Sequence, residues 1–163
     1  MDRDRDAGRG EQEPEVRRLL QRLFRTQKLA VLATGSEAGP YCCLVAVAAS
    51  SDLGELFFVT PRPTRKYRNI LADPRVCLLM DSRSNSEADF EHAVAVTVLG
   101  SAAEADTEQA RGMLARYVER HPHLAEFASS PQCALVRVQV DRYVIVQHFQ
   151  RVSELKPGPG SRG

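Results

Sequence analysis

The chain has 163 residues, with 22 Lys and Arg against 21 Asp and Glu and a net charge of +1. That length is one domain with tails, and a chain of about 150 residues buries roughly 68–70% of its unfolded surface, so no disulfide or metal is required to hold a core. The near-cancellation of charge argues against a general nucleic-acid binder, which carries a strong basic excess.

Met1–Gln12 is charged and has no apolar run, so it does not read as a secretory signal. The uncharged run Gly39–Ser51 contains Gly, Pro and Ser, and its apolar part is shorter than the about 20 residues a bilayer span needs. A cytoplasmic protein that engages no membrane and no nucleic acid is the expectation. Cys42, Cys43, Cys77 and Cys133 fit that compartment as reduced thiols, and with no paired C-x-x-C there is no zinc site.

Residues 1–13 read as a disordered tail of mixed charge, and residues 154–163, ending in KPGPGSRG, as a second. The folded domain is then 14–153. Val16, Leu19, Leu20, Leu23 and Phe24 recur at helical spacing and predict an amphipathic helix ending near Thr26, with Pro14 near its start. Lys28–Thr34 predicts a strand and Gly35–Pro40 a turn. Tyr41–Ala49, Glu55–Thr60 and Arg75–Met80 predict further strands, broken at Ser50–Gly54 and Asp73–Pro74. Before the last of these, Thr64 is a helix N-cap and Tyr67, Ile70 and Leu71 a short stripe, so a helix is expected from Arg65 to about Ala72. Beyond a polar loop, Asp81–Asp89, the Val-rich stretch His92–Ala103 predicts a long strand. Asp106 and Gln109 resemble a capping box, opening a helix whose stripe is Met113, Leu114, Tyr117 and Val118. That helix stops before His121–Pro122, and Leu124–Ala128 predicts a short helical piece. Cys133–Val140 and Tyr143–Phe149 are the last strands, joined by Asp141–Arg142.

Short links between strands imply antiparallel pairing. The expected architecture is mainly β (α+β): a six-stranded antiparallel barrel, which leaves few open edges, with short flanking helices. A doubly wound parallel sheet needs a helix after nearly every strand, and this chain lacks them.

One segment carries chemistry. Thr60-Pro61-Arg62-Pro63-Thr64-Arg65-Lys66-Tyr67-Arg68 places four cations within seven residues, 62–68, with no acid. It follows an apolar strand and opens a helix, whose first N–H groups are unsatisfied donors in a field that favours an anion. Thr60 and Thr64 add hydroxyls, Arg65 a bidentate fork and Lys66 a point charge. Two readings stand on the residues alone: a solvated basic helix face, and an anchor for a phosphate ester. A nucleic-acid patch fits less well, because no aromatic platform accompanies the charges.

From Val16 to about Val152 the chain resembles the pyridoxamine 5′-phosphate oxidase-like family of FMN-binding split β-barrels. The resemblance is carried by LAVLAT at 29–34, GPYCCLVAVA at 39–48, ELFFVTPRPTRKYRNILADPRVCLLMD at 55–81 and AVTVLGSAAEA at 95–105. The third block is the specific one: an apolar strand ending in Thr, a short loop, Thr-Arg-Lys, a helix, then D-P-R-V and another strand. The resemblance implies that Arg65 and Lys66 grip the FMN phosphate. It implies that Val59 and Thr60 lie against the flavin or its ribityl chain, and that Thr64 caps the helix. The strand Cys43–Ala46, with Leu44 and Val45, would offer backbone groups to the isoalloxazine edge. It further implies a homodimer with the cofactor at the subunit interface, the loop carrying Ser84 and Asn85 completing the partner's site, and a small-molecule substrate. Haem, or a deazaflavin, is the alternative cofactor.

The departures from the family pattern are specific. True pyridoxamine phosphate oxidases place an Arg and a Lys where Cys43 and Ala48 stand here, and an Arg-x-His near the C-terminus where this chain reads DRYVIVQHFQ. Synthesis of pyridoxal phosphate is therefore not expected. His148 ends an apolar strand and is either a solvated polar residue or a group facing the flavin or a haem iron. His92, His121 and His123 are expected on exposed turns. The resemblance implies an FMN-dependent oxidoreductase, with a non-catalytic flavin- or haem-binding module, or a haem-degrading oxygenase, as the alternatives.

Overall fold

Alternating apolar and polar positions send successive side chains to opposite faces of a strand, and that period governs most of this chain. The computed structural model describes residues 4–148 and 151–157, with side chains from Glu13 onward. Eight strands form one antiparallel sheet: β1 Leu29–Thr34, β2 Tyr41–Ala46, β3 Ala48–Ala49, β4 Glu55–Pro61, β5 Arg75–Asp81, β6 Ala95–Glu104, β7 Cys133–Gln147 and β8 Arg151–Leu155. Their order is β2-β1-β5-β6-β7-β4-β3, with β8 paired to β7.

The two ends of that order, β2 and β3, are consecutive in the chain. The stretch expected as one strand, Tyr41–Ala49, changes partners at Val47: β2 pairs with β1, and β3 pairs with β4. The sheet thus curls into a split barrel. Among the described residues it has eight strands instead of the expected six. One addition is β8, which takes residues 154 and 155 out of the expected tail.

The expected link at Asp141–Arg142 does not break the chain, and β7 runs through it for 15 residues. Leu99 opposes Arg142 and Gly100 opposes Val140, so Asp141 is the extra residue of a bulge that bends the strand without ending it. Gly100 is required there, because a Cβ would come within 2.2 Å of the Gln139 carbonyl oxygen. Phe149, the expected end of the last strand, lies outside the described residues. At the start of β6, residues Asp89–His92 form helix α3, and the strand begins at Ala95 instead of His92.

The N-terminal helix α1 spans Asp4–Thr26. It begins well inside the stretch 1–13 expected as a tail, and Pro14 lies within it. The polarity of residues 4–12 means that the sequence marks no buried face there. It does not stop a helix from propagating outward from a packed segment, because each added residue brings one hydrogen bond without a new nucleus. Val16, Leu20, Leu23 and Phe24 plug the barrel among Leu32, Leu78, Val98, Val138 and Ile145. Phe24 meets Tyr143 edge-on at 6.2 Å, and the buried Tyr143 hydroxyl donates to the Leu53 carbonyl at 2.7 Å.

Helices α2 (Arg65–Ala72), α4 (Thr107–Arg120) and α5 (Ala125–Ala128) complete the fold, with a 3-10 turn at Pro122–Leu124. Asp106 caps α4 by accepting from the Gln109 N–H at 2.9 Å. Helices α4 and α5 cover the outside of β3 and β4, burying Phe57, Val59 and Tyr117 in a second cluster. No helix among the described residues is long and apolar enough to cross a membrane.

His121 is not on an exposed turn: it is 1% exposed, with Nε2 3.0 Å from the Val47 carbonyl oxygen and its ring 4.9 Å from Tyr117. The carbonyl can only accept, so Nε2 carries the proton. Burial holds the imidazole below its ordinary value of 6.5, because a charged ring would lose its hydration. The unfolded chain therefore binds this proton first. Stability is complete above pH 6.5 and declines as the pH falls through that value toward the folded pKa, by at most about 1.4 kcal/mol per pH unit. Denaturant midpoints at pH 8 and pH 5 are expected to differ less in His121→Gln than in the parent chain. Replacing Gly100 by Ala is expected to cost about 1–3 kcal/mol in the same measurement, as overpacking against fixed backbone does.

Candidate functional site

Strand β4 ends at Pro61 and α2 begins at Arg65, so three residues turn the chain from one to the other. Thr64 is the N-cap, with extended backbone. Its hydroxyl donates to the Pro61 carbonyl at 2.8 Å and accepts from the Tyr67 N–H at 3.4 Å. Thr60 Oγ1 lies 3.2 Å from Thr64 Oγ1. Since the Thr64 proton is committed to Pro61, the Thr60 hydroxyl is the donor of that pair. Both hydroxyls therefore build the cap. The first-turn amides of Arg65 and Lys66 have no partner among the described residues and stay open to a ligand.

The four cations of the segment separate into distinct roles. Arg62 pairs with Glu104 through Nη2, and its Nη1 donates to the Pro131 carbonyl at 2.9 Å. The Tyr67 hydroxyl donates to the other oxygen of Glu104. The Arg62 guanidinium holds the Glu104 carboxyl below its usual range, and the hydrogen bond to Glu104 raises the Tyr67 phenol. This triad ties the loop and the first turn of α2 to the end of β6. Among the described residues, Arg65, Lys66 and Arg68 form no ion pair. Arg65 instead lies over the ring of Tyr41, with 4.7 Å from Cζ to the ring centroid. The Cys43 thiol is raised by burial and lowered to a smaller degree by the Lys66 charge nearby. A dianion at this point would meet two charges, two open amides and no competing carboxylate, and a phosphate monoester has that demand.

The remaining expected site residues are spread by the strand period. Thr60 is 1% exposed and faces the cap, whereas the side chain of Val59, its neighbour, is sealed beneath α4 on the opposite face. Val45 points into the barrel core and Leu44 points out of it, 64% exposed. Strand β2 pairs with β1 alone, which leaves its second edge without a strand partner among the described residues. Ser84 and Asn85 follow the C-terminal end of β5, while α2 leads into its N-terminal end, so one chain does not bring them to Arg65. Their loop is organised by Asp89, which accepts from the Ser84 and Ser86 N–H groups at 2.9 and 3.1 Å. Asn85 takes a left-handed φ of 62° there. His148 is exposed in the turn after β7, with φ 46°, and with Phe90, Glu91 and His92 it lines an open cleft of about 530 Å³. Among the described residues no group of three His, Cys, Asp or Glu is arranged to hold a metal ion. All four cysteines are free thiols.

Sequence reasoning missed Tyr41, Asn69 and Glu104. The Asn69 amide donates to the buried Thr34 hydroxyl at 2.9 Å and docks α2 on β1. No local pattern marks these residues, because each acts through a partner 24 to 42 positions away.

Among the described residues, no helix covers the outer face of β2, β1, β5, β6 and the second half of β7. Register places Leu44, Val31, Leu79, Thr97 and Val144 in one row, with Cys42, Ala33, Cys77 and Leu99 in the next. Leu44, Leu29 and Leu79 on this face are 64%, 53% and 37% exposed.

Comparison with solved structures finds this fold repeatedly. A haem-binding protein from Mycobacterium smegmatis superposes with a TM-score of 0.72 at 17% identity, over 83% of this chain and 56% of the other. ChuZ from Campylobacter jejuni gives 0.74 at 12% identity, over 89% and 61%. An FAD-binding protein from Mesorhizobium loti gives 0.62 at 16% identity, over 77% and 88%. This chain thus spans little more than half the length of the first two. No match to the chain was found among curated proteins. The family model described as pyridoxamine 5′-phosphate oxidase matches residues 13–156, nearly the whole described barrel with its leading helix, and the chain belongs to that family.

Proposed function

We propose that this chain binds FMN and serves as an FMN-dependent oxidoreductase for a small organic substrate, in the cytoplasm. The observation that carries the reading is the pair Arg65 and Lys66, free of any acid partner among the described residues, beside the open first-turn amides of α2. The residues present fit a phosphate dianion in charge and in donor count. The redox chemistry belongs to the flavin, and the protein contributes binding, orientation and exclusion of water. In this reading Arg65 and Lys66 hold the phosphate, Thr60 and Thr64 keep the helix start in shape, and the unpaired edge of β2 borders the ring system. Synthesis of pyridoxal phosphate remains outside the proposal, since Cys43 and Ala48 cannot supply the second set of cations.

The site is completed by a second copy of the chain. The uncovered apolar face around Leu44 supports a homodimer, and the place of Ser84 and Asn85 beyond the far end of β5 suits residues contributed to the partner's cofactor.

Haem binding is the second reading, supported by the two exposed imidazoles of His92 and His148 on the cleft beside Phe90. One set of titrations separates the two. The purified chain with FMN is expected to show flavin bands near ~375 and ~450 nm, and Arg65→Ala with Lys66→Ala to weaken FMN at least about 100-fold while leaving riboflavin affinity unchanged. A Soret band on mixing with haem, lost in His148→Ala, with FMN binding indifferent to the double variant, favours haem instead. Turnover of NADH or NADPH with added acceptors distinguishes an enzyme from a binding module. Light scattering is expected to give twice the 18.1 kDa chain mass, and Leu44→Asp to yield a monomer with weakened FMN binding. A monomeric parent chain with full cofactor overturns the shared site.

A further inference from the structure

We propose that Tyr41 is a positioning residue that holds the Arg65 guanidinium in place for a phosphate. The inference rests on the phosphate-binding reading of Arg65 and deepens it.

A guanidinium that waits for a dianion faces a conflict. Left free, a long side chain has many rotamers to lose when the ligand arrives. Held by a carboxylate, it is ordered, but its charge is neutralised and its N–H fork is spent. Arg62 shows the second case within the same segment, since Glu104 and the Pro131 carbonyl occupy it. Arg65 shows neither. Its Cζ sits 4.7 Å from the Tyr41 ring centroid, and no side-chain hydrogen bond or ion pair engages its nitrogens among the described residues. An aromatic face attracts a cation through its quadrupole and takes none of the in-plane N–H donors. The contact therefore orders the fork while keeping both charge and donors available.

The backbone explains why the ring stands there. Tyr41 of β2 is the cross-strand partner of Thr34 of β1, so the two side chains share one face of the β1–β2 pair. On α2, Arg65 and Asn69 are four residues apart and share one face of the helix. The two pairs meet in register: Arg65 over Tyr41, and the Asn69 amide on the Thr34 hydroxyl at 2.9 Å. Asn69 sets the rotation of the helix, and Tyr41 then receives the guanidinium. The Tyr41 hydroxyl makes no hydrogen bond to the described residues, so the ring alone carries the role and Phe should replace Tyr.

The test is fluorescence titration of the full chain with FMN and, separately, with riboflavin, at low and moderate salt. Tyr41→Leu is expected to weaken FMN about 3- to 10-fold, the range that corresponds to one cation–π contact, with riboflavin affinity unchanged. Tyr41→Phe is expected to bind FMN like the parent. A thermal melt of each variant shows whether the barrel is intact, and the FMN-to-riboflavin affinity ratio is read within each variant, so a general loss of packing does not imitate the effect. If Arg65→Ala loses FMN and Tyr41→Leu does not, the positioning role is overturned while the phosphate reading survives. Equal weakening of FMN and riboflavin in Tyr41→Leu also overturns it. If Arg65→Ala keeps full FMN affinity, the phosphate reading falls and Tyr41 has nothing to position.

Discussion

Everything at the candidate site depends on the change of partner at Val47. The chain leaves β1 after Ala46 and joins β4 at Ala48, and the break at Val47 is held from outside the sheet. The Val47 N–H donates to the Lys28 carbonyl at 3.1 Å, and its carbonyl accepts from His121 Nε2 at 3.0 Å. Its side chain is fully buried. A residue between two strands would otherwise leave two backbone groups unsatisfied in the core, which is costly enough to forbid the corner. Because the corner is held, β2 and β4 lie side by side across the split of one curled sheet. The helix that follows β4 then comes back against β2, and α2 meets Tyr41.

The basic segment illustrates how burial and one distant acid divide a charge cluster. Four cations that look equivalent in sequence are not equivalent in space. Arg62 is consumed in a network with Glu104 and Tyr67 that fixes the loop, and such a network also keeps Glu104 from competing with an incoming anion. Arg65 and Lys66 are left with their charge available, and Arg68 lies exposed further along the helix. The two threonines work on the same frame: their hydroxyl protons are used to shape the first turn, so the donors left for a ligand are backbone amides and cationic side chains. The resemblance implied that Thr60 lies against the flavin. Its hydroxyl is spent inside the loop.

Much of the architecture was legible because it is encoded locally. Period-two alternation located most of the strands, Thr64 marked the start of α2, and Asp106 with Gln109 marked the start of α4. What failed was encoded elsewhere. Asp141 and Arg142 look like a link because both are polar, yet a bulge opposite Leu99 and Gly100 absorbs the extra residue. The partner change at Val47 is invisible within an unbroken apolar run. His121 looks like a turn residue beside a proline, and only the fold shows that the Val47 carbonyl and the Tyr117 ring close over it. At the site, the Arg-Lys pair was readable from the motif, but the ring beneath one and the acid drawn away by Arg62 come from other elements.

The place of β4 has a consequence for the order in which the molecule assembles during synthesis. Its only strand neighbours among the described residues are β3, two residues long, and residues 133–139 of β7. The run LFFV, with Phe57 and Phe58, therefore emerges from the ribosome some seventy-five residues before the strand that will cover its edge. The β1–β2 hairpin can form early, whereas the barrel cannot close until nearly all of the chain is available. Through that interval one edge of the apolar run lacks its native partner, and a chaperone that covers this edge would shield it until β7 arrives.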